Sequence, residues 1–330
     1  MRVKKNINFG NYLKIMKNRK AFIVGIKSTF LSKKEKIFLK KYKPWGIILF
    51  SRNLKNFDQI KKLTLNIKSI FKDEKYPIMI DQEGGRVNRL KNIISFDNLT
   101  SKYFGDLFLH DKKKFNIIYK LYIDKTSFLL RSIGVNINTV PVLDIRRNSS
   151  HQIIGDRSYS TNKKIVQKIG NFCIKNFHKN KIGTVIKHIP GHGLAKVDSH
   201  KNLPIINKNL RYLIKNDFST FKKTKALMGM TGHLLFKKID STNTSTHSKK
   251  IINIVRNKIQ FKNIIITDDL SMKALKKNLK NNVLDSFKAG CNIVMHCNGN
   301  FREMQVVARN SPKIDKFILK KTSQLMNIIG

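Results

Sequence analysis

The sequence predicts a single-domain α/β protein with the architecture of a (β/α)8 TIM-type barrel. Eight short apolar runs rich in β-branched residues recur along the chain, longer Lys-rich stretches of helical period separate them, and no Pro/Gly/Ser-rich linker divides them. Runs that are apolar throughout suit the strands of a parallel sheet buried on both faces. Eight of them in 330 residues favour a closed barrel over an open sheet.

The elements follow in order along the chain. The predicted strands are AFIVGI at 21–26, GIILF at 46–50, PIMID at 77–81, GVNINTVPVLD at 134–144, GTVIKH at 183–188, ALMGMT at 226–231, NIIITD at 263–268 and NIVMHC at 292–297. The predicted helices cover 33–42, 57–71, 112–132, 163–181, 207–223, 249–259 and 281–289. We expect one domain over 1–330, with a basic N-terminal extension at 1–20 and a single C-terminal helix at 301–330. The connections 83–110 and 189–208 are long, and long loops at the active face of a barrel are usually functional.

The net charge is +47, from 67 basic and 20 acidic residues. Such a charge is typical of nucleic-acid binding proteins, but here the lysines are spread over nearly every segment and are not concentrated among aromatic residues. We therefore expect no specific nucleic-acid partner, and only weak attraction to polyanions.

The cysteines and the apolar segments bear on whether the protein is secreted, metal-binding or embedded in a membrane. Cys173, Cys291 and Cys297 have no CxxC spacing, which argues against a disulfide scaffold or a thiolate zinc site. No stretch approaches the ~20 apolar residues of a membrane span. The sequence predicts a cytoplasmic protein, a monomer, with no membrane partner.

Side chains capable of chemistry fall at or just past the carboxyl ends of the predicted strands. They are Asp81, Asp144, Lys187, His188, Thr231, His233, Asp268 and His296. In a barrel these ends converge on one mouth, where active sites lie. The sequence therefore predicts one site at that mouth.

The stretch KHIPGHGLAKVDSH, residues 187–200, allows three interpretations. A metal site is weakly indicated, because the Pro and Gly residues at 190–193 prevent His188 and His192 from sharing a helix face and no Glu lies between them. A phosphate loop is disfavoured because the GK[ST] ending is absent. Asp198 could instead orient His200 as a proton donor and acceptor near neutral pH, although an isolated DSH is also an ordinary polar turn.

Carboxylates occur after two other strands. In TDDLSM, Asp268 could act as a nucleophile and Asp269 as a cap or support. In DQEGGRVNRL, Asp81 and Arg89 suit sugar hydroxyls, whereas Glu83 and the Arg at position 86 suit a structural ion-pair network. Arg157 and His233 follow the fourth and sixth strands, and each alone is only a weak indication of a functional site.

Together these motifs resemble glycoside hydrolase family 3, and in particular its bacterial single-domain β-N-acetylhexosaminidases of cell-wall recycling. The motifs that carry the resemblance are DQEGGRV at 81–87, GDRSYS at 155–160, KHIPGHG at 187–193, DSH at 198–200 and TDDLSM at 267–272. They occur in the family's order and span residues from about 46 to about 298. Ile189 stands where an aromatic residue is expected.

The resemblance implies a (β/α)8 barrel that removes terminal β-linked N-acetylglucosamine from muropeptides or related oligosaccharides with retention. Asp268 would form the covalent glycosyl-enzyme, and His200 would be the acid/base with Asp198 as its partner. The implied substrate-binding residues are Asp81, Arg89, Arg157, Lys187 and His188. We expect no metal and no cofactor.

Two other functions are compatible with the sequence. A histidine acid/base is also compatible with a phosphorylase, since a neutral base repels phosphate less than a carboxylate does. A catalytically inactive, basic polymer-binding barrel would fit the charge but not the intact motifs. The two glycines and few apolar anchors of the loop 191–201 predict that it is mobile and that His200 moves in with substrate, with His192 structural.

Overall fold

The barrel predicted from the sequence is present in the computed structural model, which describes residues 16–147, 153–199 and 201–330. The strands are β1 (Lys20–Gly25), β2 (Pro44–Leu49), β3 (Ile78–Ile80), β4 (Ile137–Asn138), β5 (Gly183–Ile189), β6 (Ile205–Ile206), β7 (Met228–Thr231), β8 (Leu235–Phe236), β9 (Ile264–Asp269) and β10 (Ile293–His296). All except β6 and β8 form a closed parallel barrel in chain order, in which β10 pairs with β1. The pair β6–β8 is a separate two-stranded sheet.

Helices surround the barrel. They are α1 (Lys33–Tyr42), α2 (Phe57–Phe71), α3 (Ser101–His110), α4 (Lys112–Ser132), α5 (Lys163–Lys179), α6 (Leu210–Lys215), α7 (Lys249–Asn257), α8 (Leu279–Ala289), α9 (Phe301–Asn310) and α10 (Lys316–Ile329). Each of these ten follows a Ser, Thr, Asn or Asp whose side chain accepts a backbone N–H of the first turn. At Ser32 the cap is reciprocal, because the Glu35 carboxylate accepts the Ser32 N–H at 2.9 Å.

The single C-terminal helix predicted over 301–330 is wrong. The segment forms α9 and α10, separated at Ser311, whose ψ of 135° is extended. Pro312 causes the break, since proline lacks the backbone donor and disfavours helical geometry in the preceding residue. The helix predicted over 207–223 is also shorter, because α6 ends at Lys215 and a 3-10 helix, Asp217–Phe221, follows.

The predicted basic extension at 1–20 is described only from residue 16, and this part packs against the barrel. Met16 is fully buried, and Arg19 forms a buried ion pair with Asp73 while its guanidinium lies over the Tyr76 ring. Lys20 already begins β1. The domain therefore begins before residue 20.

The core has two layers that follow the strand period of two. Ile23 on β1 joins an inner cluster with residues of the other strands, whereas its neighbours Phe22 and Val24 join the outer cluster between strands and helices. Residues of α10 extend the inner cluster, and Trp45 Nε1 donates to Thr322 Oγ1 of α10 at 2.9 Å. Because Trp45 lies near the start of β2, α10 closes the amino end of the barrel. The carboxyl end remains as the mouth.

Within the described ranges, no helix is long and apolar enough to cross a membrane.

Candidate active site

A cavity of about 320 Å³ opens at the mouth of the barrel. Its walls include all five predicted substrate-binding residues and the predicted nucleophile, namely Asp81, Arg89, Arg157, Lys187, His188 and Asp268. These residues come from four different strand ends, as expected for a barrel site. The apolar part of the wall is formed by Phe50, Val87, Ile153, Ile154, Met230 and Met295.

Asp81, directly after β3, is held as a carboxylate by two cations. Lys187 Nζ lies 3.0 Å from Asp81 Oδ1, Arg89 lies 3.5 Å from Oδ2, and the Thr139 hydroxyl donates to Oδ1. Burial alone would raise the pKa of Asp81, but the charges of Lys187 and Arg89 outweigh it and hold this pKa well below its usual value. Asp81 is therefore a permanent hydrogen-bond acceptor at the cavity wall.

Glu83 anchors the adjacent pair of cations. Arg157 grips it with two hydrogen bonds of 2.8 Å, from Nε to Oε2 and from Nη2 to Oε1, while Lys187 Nζ lies 2.7 Å from Oε1. Burial opposes ionisation, but Arg157 and Lys187 lower the pKa of Glu83 to about 2. Lys187 also donates to Thr139 Oγ1 at 3.0 Å, so its ammonium lies within bonding distance of three oxygens. The predicted sugar-binding cations thus belong to a buried charge network.

Arg86 links the loop after β3 to the loop after β4. Its Nε lies 3.2 Å from Asp156 Oδ1, and its Nη2 donates to the Ile153 and Ile154 carbonyls at 2.9 and 3.2 Å. Its ion pair with Asp156 is partly exposed, which limits its contribution to stability. These contacts fit the structural network expected for Glu83 and Arg86.

Asp144, a buried residue in the segment after β4, orients the His188 ring and holds the backbone at His192. Its Oδ2 accepts the His188 backbone N–H at 3.1 Å and His188 Nδ1 at 2.7 Å, and its Oδ1 accepts the His192 backbone N–H at 2.6 Å. Burial raises the pKa of Asp144, but His188 and His192 more than offset this effect and the pKa is lowered. Because the carboxylate can only accept, His188 Nδ1 carries a proton and the ring orientation is fixed.

The loop after β5 packs closely against the barrel mouth near its glycines. A Cβ at Gly193 would lie 2.2 Å from the Ile145 carbonyl oxygen, so this approach requires glycine. His192 Nε2 lies 3.2 Å from Ser199 Oγ, and Ser199 lines the cavity. Burial and the nearby His188 lower the pKa of His192 to about 4, which makes it neutral at physiological pH. These contacts agree with a structural His192.

The predicted catalytic dyad is only partly described. Asp198 is half-buried, its carbonyl accepts the Lys201 and Asn202 N–H groups at 3.0 and 2.9 Å, and it is not among the cavity-lining residues. His200 lies outside the described residues. Ser199, between the two, is buried and its carbonyl accepts the Ala274 N–H at 3.3 Å, which brings the loop against the segment after β9.

Asp268 lies near the end of β9, and its Oδ1 accepts the Asp269 N–H at 2.8 Å. Asp269 supports this strand end, since its Oδ1 accepts the Cys297 N–H at 3.1 Å and the Ser271 N–H at 3.0 Å. His233 Nε2 donates to the Asp269 carbonyl at 3.0 Å. Burial lowers the pKa of His233, although the Asp268 charge opposes the effect. The next helix, α8, begins only at Leu279, so Asp269 does not cap a helix. It supports the turn after β9 instead.

The sequence alone does not assign a role to every residue of the site. Asp144 lies at a predicted strand end, and only its distance to His188 reveals a role. Cys297 lines the cavity, and burial together with the Asp269 and Asp268 charges raises the pKa of its thiol well above the usual value, so the thiol is uncharged. Ile189 belongs to the outer core cluster and does not line the cavity.

No group of three or more His, Cys, Asp or Glu side chains suited to holding a metal ion occurs in the described ranges. The His188 ring contacts Asp144 through Nδ1, whereas the His192 ring contacts Ser199 Oγ through Nε2.

The chain matches the family model described as the glycosyl hydrolase family 3 N terminal domain over residues 23–316. The chain belongs to glycoside hydrolase family 3. Among curated proteins of the family, a beta-hexosaminidase of Nitrosomonas eutropha is 29% identical over 289 residues, which cover 84% of this chain and 80% of that protein. A beta-hexosaminidase of Neisseria gonorrhoeae is 31% identical over 260 residues, covering 77% and 71%.

A solved structure of this family agrees with the barrel. The NagZ of Neisseria gonorrhoeae in complex with N-trifluoroacetyl-D-glucosamine superposes with a TM-score of 0.84 at 27% identity, covering 94% of this chain and 90% of that one. This chain therefore has the same fold as that NagZ along nearly the whole length of both.

Proposed function

We propose that this family 3 glycoside hydrolase is a β-N-acetylglucosaminidase that works by a retaining mechanism. The observation that carries the proposal is the single cavity wall shared by Asp268, Asp81, Arg89, Arg157, Lys187 and His188. Its volume of about 320 Å³ is at the small end of ligand sites and suits one sugar residue. The names of the beta-hexosaminidases and the aminosugar bound in the Neisseria gonorrhoeae structure support an N-acetylated hexosamine as that residue.

In this proposal the polar wall holds the sugar hydroxyls. The Asp81 carboxylate stays ionised and accepts hydroxyl protons, and charge-assisted hydrogen bonds of this kind are the strong ones. His188 has its Nδ1 proton committed to Asp144, so its Nε2 is the ring nitrogen that contacts the sugar. Lys187 and Arg157 act chiefly by keeping Asp81 and Glu83 charged and in place.

The reaction proposed is a double displacement. Asp268 attacks the anomeric carbon and forms a covalent glycosyl-enzyme, while the protonated His200 gives its proton to the departing oxygen. Neutral His200 then removes a proton from water, which attacks the same carbon and releases the sugar with the original configuration. Asp198 would stabilise the protonated form of His200. The natural substrate proposed is a muropeptide with a terminal β-linked N-acetylglucosamine.

The test is hydrolysis of a nitrophenyl N-acetyl-β-D-glucosaminide by the parent, Asp268→Asn and His200→Ala. Asp268→Asn should lower kcat by at least about a thousandfold, the scale seen when a nucleophile is removed. A matched control is Asp106→Asn, which alters only a surface ion pair with Lys102 on α3. Parent-like activity of Asp268→Asn would contradict the proposal, as would equal loss in the control.

Two substrate comparisons complete the test. The corresponding β-glucoside should be cleaved far more slowly, because it lacks the acetamido group. Rates with and without phosphate separate hydrolysis from phosphorolysis, since a phosphorylase would release a sugar phosphate. We further propose a monomeric enzyme made of one domain.

A further inference from the structure

The outward face of α4 carries an exposed apolar stripe, called here the α4 stripe. Its members Ile117, Leu121 and Phe128 are 66%, 66% and 57% exposed. At 3.6 residues per turn, spacings of four and seven place them within about 40° of one line along the helix. The opposite face of α4 packs into the core through residues such as Phe115 and Ile123. The fold therefore uses one apolar face of this helix and leaves a second exposed.

Basic side chains border the α4 stripe on both edges. Helical geometry places Lys113, Lys120 and Arg131 along one edge and Lys114 and Lys125 along the other, all of them exposed. The one acidic residue of α4, Asp124, lies about 20° from Ile117 on the side of Lys120 and pairs with that lysine. The result is an aliphatic and aromatic strip between two rows of cations.

We propose that the α4 stripe docks onto the surface of an anionic lipid bilayer. Aliphatic and phenyl side chains insert at the boundary of headgroups and acyl chains, while the stems of the flanking lysines bring their ammonium groups to anionic headgroups. The sequence argues against a membrane partner only through its lack of a spanning segment, and surface docking requires none.

Two other occupants fit the surface less well. A second copy of the chain would bring the basic edges together, and each copy has a net charge of +47. Nucleic acid would match the charge but offers no apolar phase to Ile117 and Leu121. An anionic bilayer satisfies both features of the α4 stripe.

Docking through α4 leaves the cavity accessible. The helices of a barrel lie on its flank, whereas the cavity lies at the carboxyl ends of the strands. Cleavage of a small soluble glycoside should therefore be unaffected by membrane contact or by changes in the stripe. Docking through the α4 stripe does not depend on the reaction proposed for the cavity.

The experiment is co-sedimentation of the full chain with vesicles of equimolar phosphatidylcholine and phosphatidylglycerol, and with vesicles of phosphatidylcholine alone. The stripe variant combines Ile117→Ser, Leu121→Ser and Phe128→Ser. The matched control combines Ile37→Ser, Leu65→Ser and Ile205→Ser, which are 57%, 51% and 55% exposed on other elements. Because the net charge attracts the chain to any anionic surface, binding is compared at high salt, where such attraction is screened.

We expect the parent and the control to bind the anionic vesicles, and the stripe variant to bind at least about tenfold more weakly at high salt, with no change in melting temperature. Equal binding of stripe variant and parent would overturn the proposal, because charge alone would then explain the association. Absence of binding to anionic vesicles, or equal binding to phosphatidylcholine alone, would also overturn it. A stripe-dependent dimer in analytical ultracentrifugation, or stripe-dependent binding of duplex DNA without lipid binding, would assign the surface to another partner.

Discussion

Removing the Lys187 ammonium should destabilise the fold, and not only weaken substrate binding. In Lys187→Met, Asp81 loses a cation 3.0 Å away and Glu83 one 2.7 Å away, and all three side chains are at most 15% exposed. Removing one partner of a buried ion pair typically costs about 3–5 kcal/mol, because the remaining charge is left buried without compensation. Arg89 and Arg157 remain, so the lower end of this range is expected.

The corresponding shift in melting temperature follows from chain length. An unfolding entropy of about 2.1 cal/mol/K per residue gives roughly 0.7 kcal/mol/K for 330 residues, so the expected loss of about 3 kcal/mol corresponds to a decrease of about 4 °C. Calorimetry at neutral pH measures this decrease, and Lys238→Met, at an exposed lysine, is the control. A decrease below about 1 °C would show that the ion pairs of Lys187 do not stabilise the fold.

The pH dependence gives a second, independent check. The lowered pKa values of Asp81 and Glu83 contribute stability that is fully present above their unfolded values near 4 and is lost as the pH falls through the folded values. In Lys187→Met the folded pKa values rise toward the unfolded ones. The difference in stability between parent and variant should therefore be largest near neutral pH and narrow below about pH 4. A difference that stays constant with pH would contradict this reasoning.

Three further predictions concern other parts of the structure. Asp144→Ala should lower kcat/KM by about a hundredfold or more, since His188 loses its orienting acceptor, and Asp144→Asn should be intermediate; steady-state kinetics measure both. Gly193→Ala should lower the melting temperature by a few degrees, because its Cβ would overlap the Ile145 carbonyl and overpacking costs about 1–3 kcal/mol. Arg19→Met should lower it by about 4–7 °C without changing kcat, because Asp73 is left buried at the end of the barrel opposite the cavity; a change in kcat with unchanged stability would contradict this.

The barrel could be predicted from the sequence because each of its strands is recognisable from its own residues. Each strand is a continuous apolar run such as the one around Ile265, and burial on both faces requires no partner to be known in advance. The errors of the prediction concern where helices and strands begin and end. Pro312 is a visible break that divides the C-terminal helix, and the run 134–144 contains only the two-residue strand β4, Ile137–Asn138. The helix α3 lies within the connection 83–110, for which the sequence predicts a long loop.

The candidate site was predictable in its location but not in its internal partners. Strand ends converge on the mouth of any such barrel, so the shared cavity of Asp81 and Asp268 follows from topology. The pairing of Lys187 with Glu83 depends on distances between segments more than a hundred residues apart, and no spacing rule gives it. For the same reason the role of Asp144 emerged only from its contacts with His188.

The glycosyl-enzyme intermediate proposed on Asp268 requires overall retention, which the anomeric configuration of the first-formed product reports. Proton NMR during rapid hydrolysis of a nitrophenyl N-acetyl-β-D-glucosaminide distinguishes the two anomers before mutarotation mixes them. A double displacement at Asp268 predicts that β-N-acetylglucosamine appears first. Initial appearance of the α-anomer would indicate a single displacement by water and would exclude the intermediate.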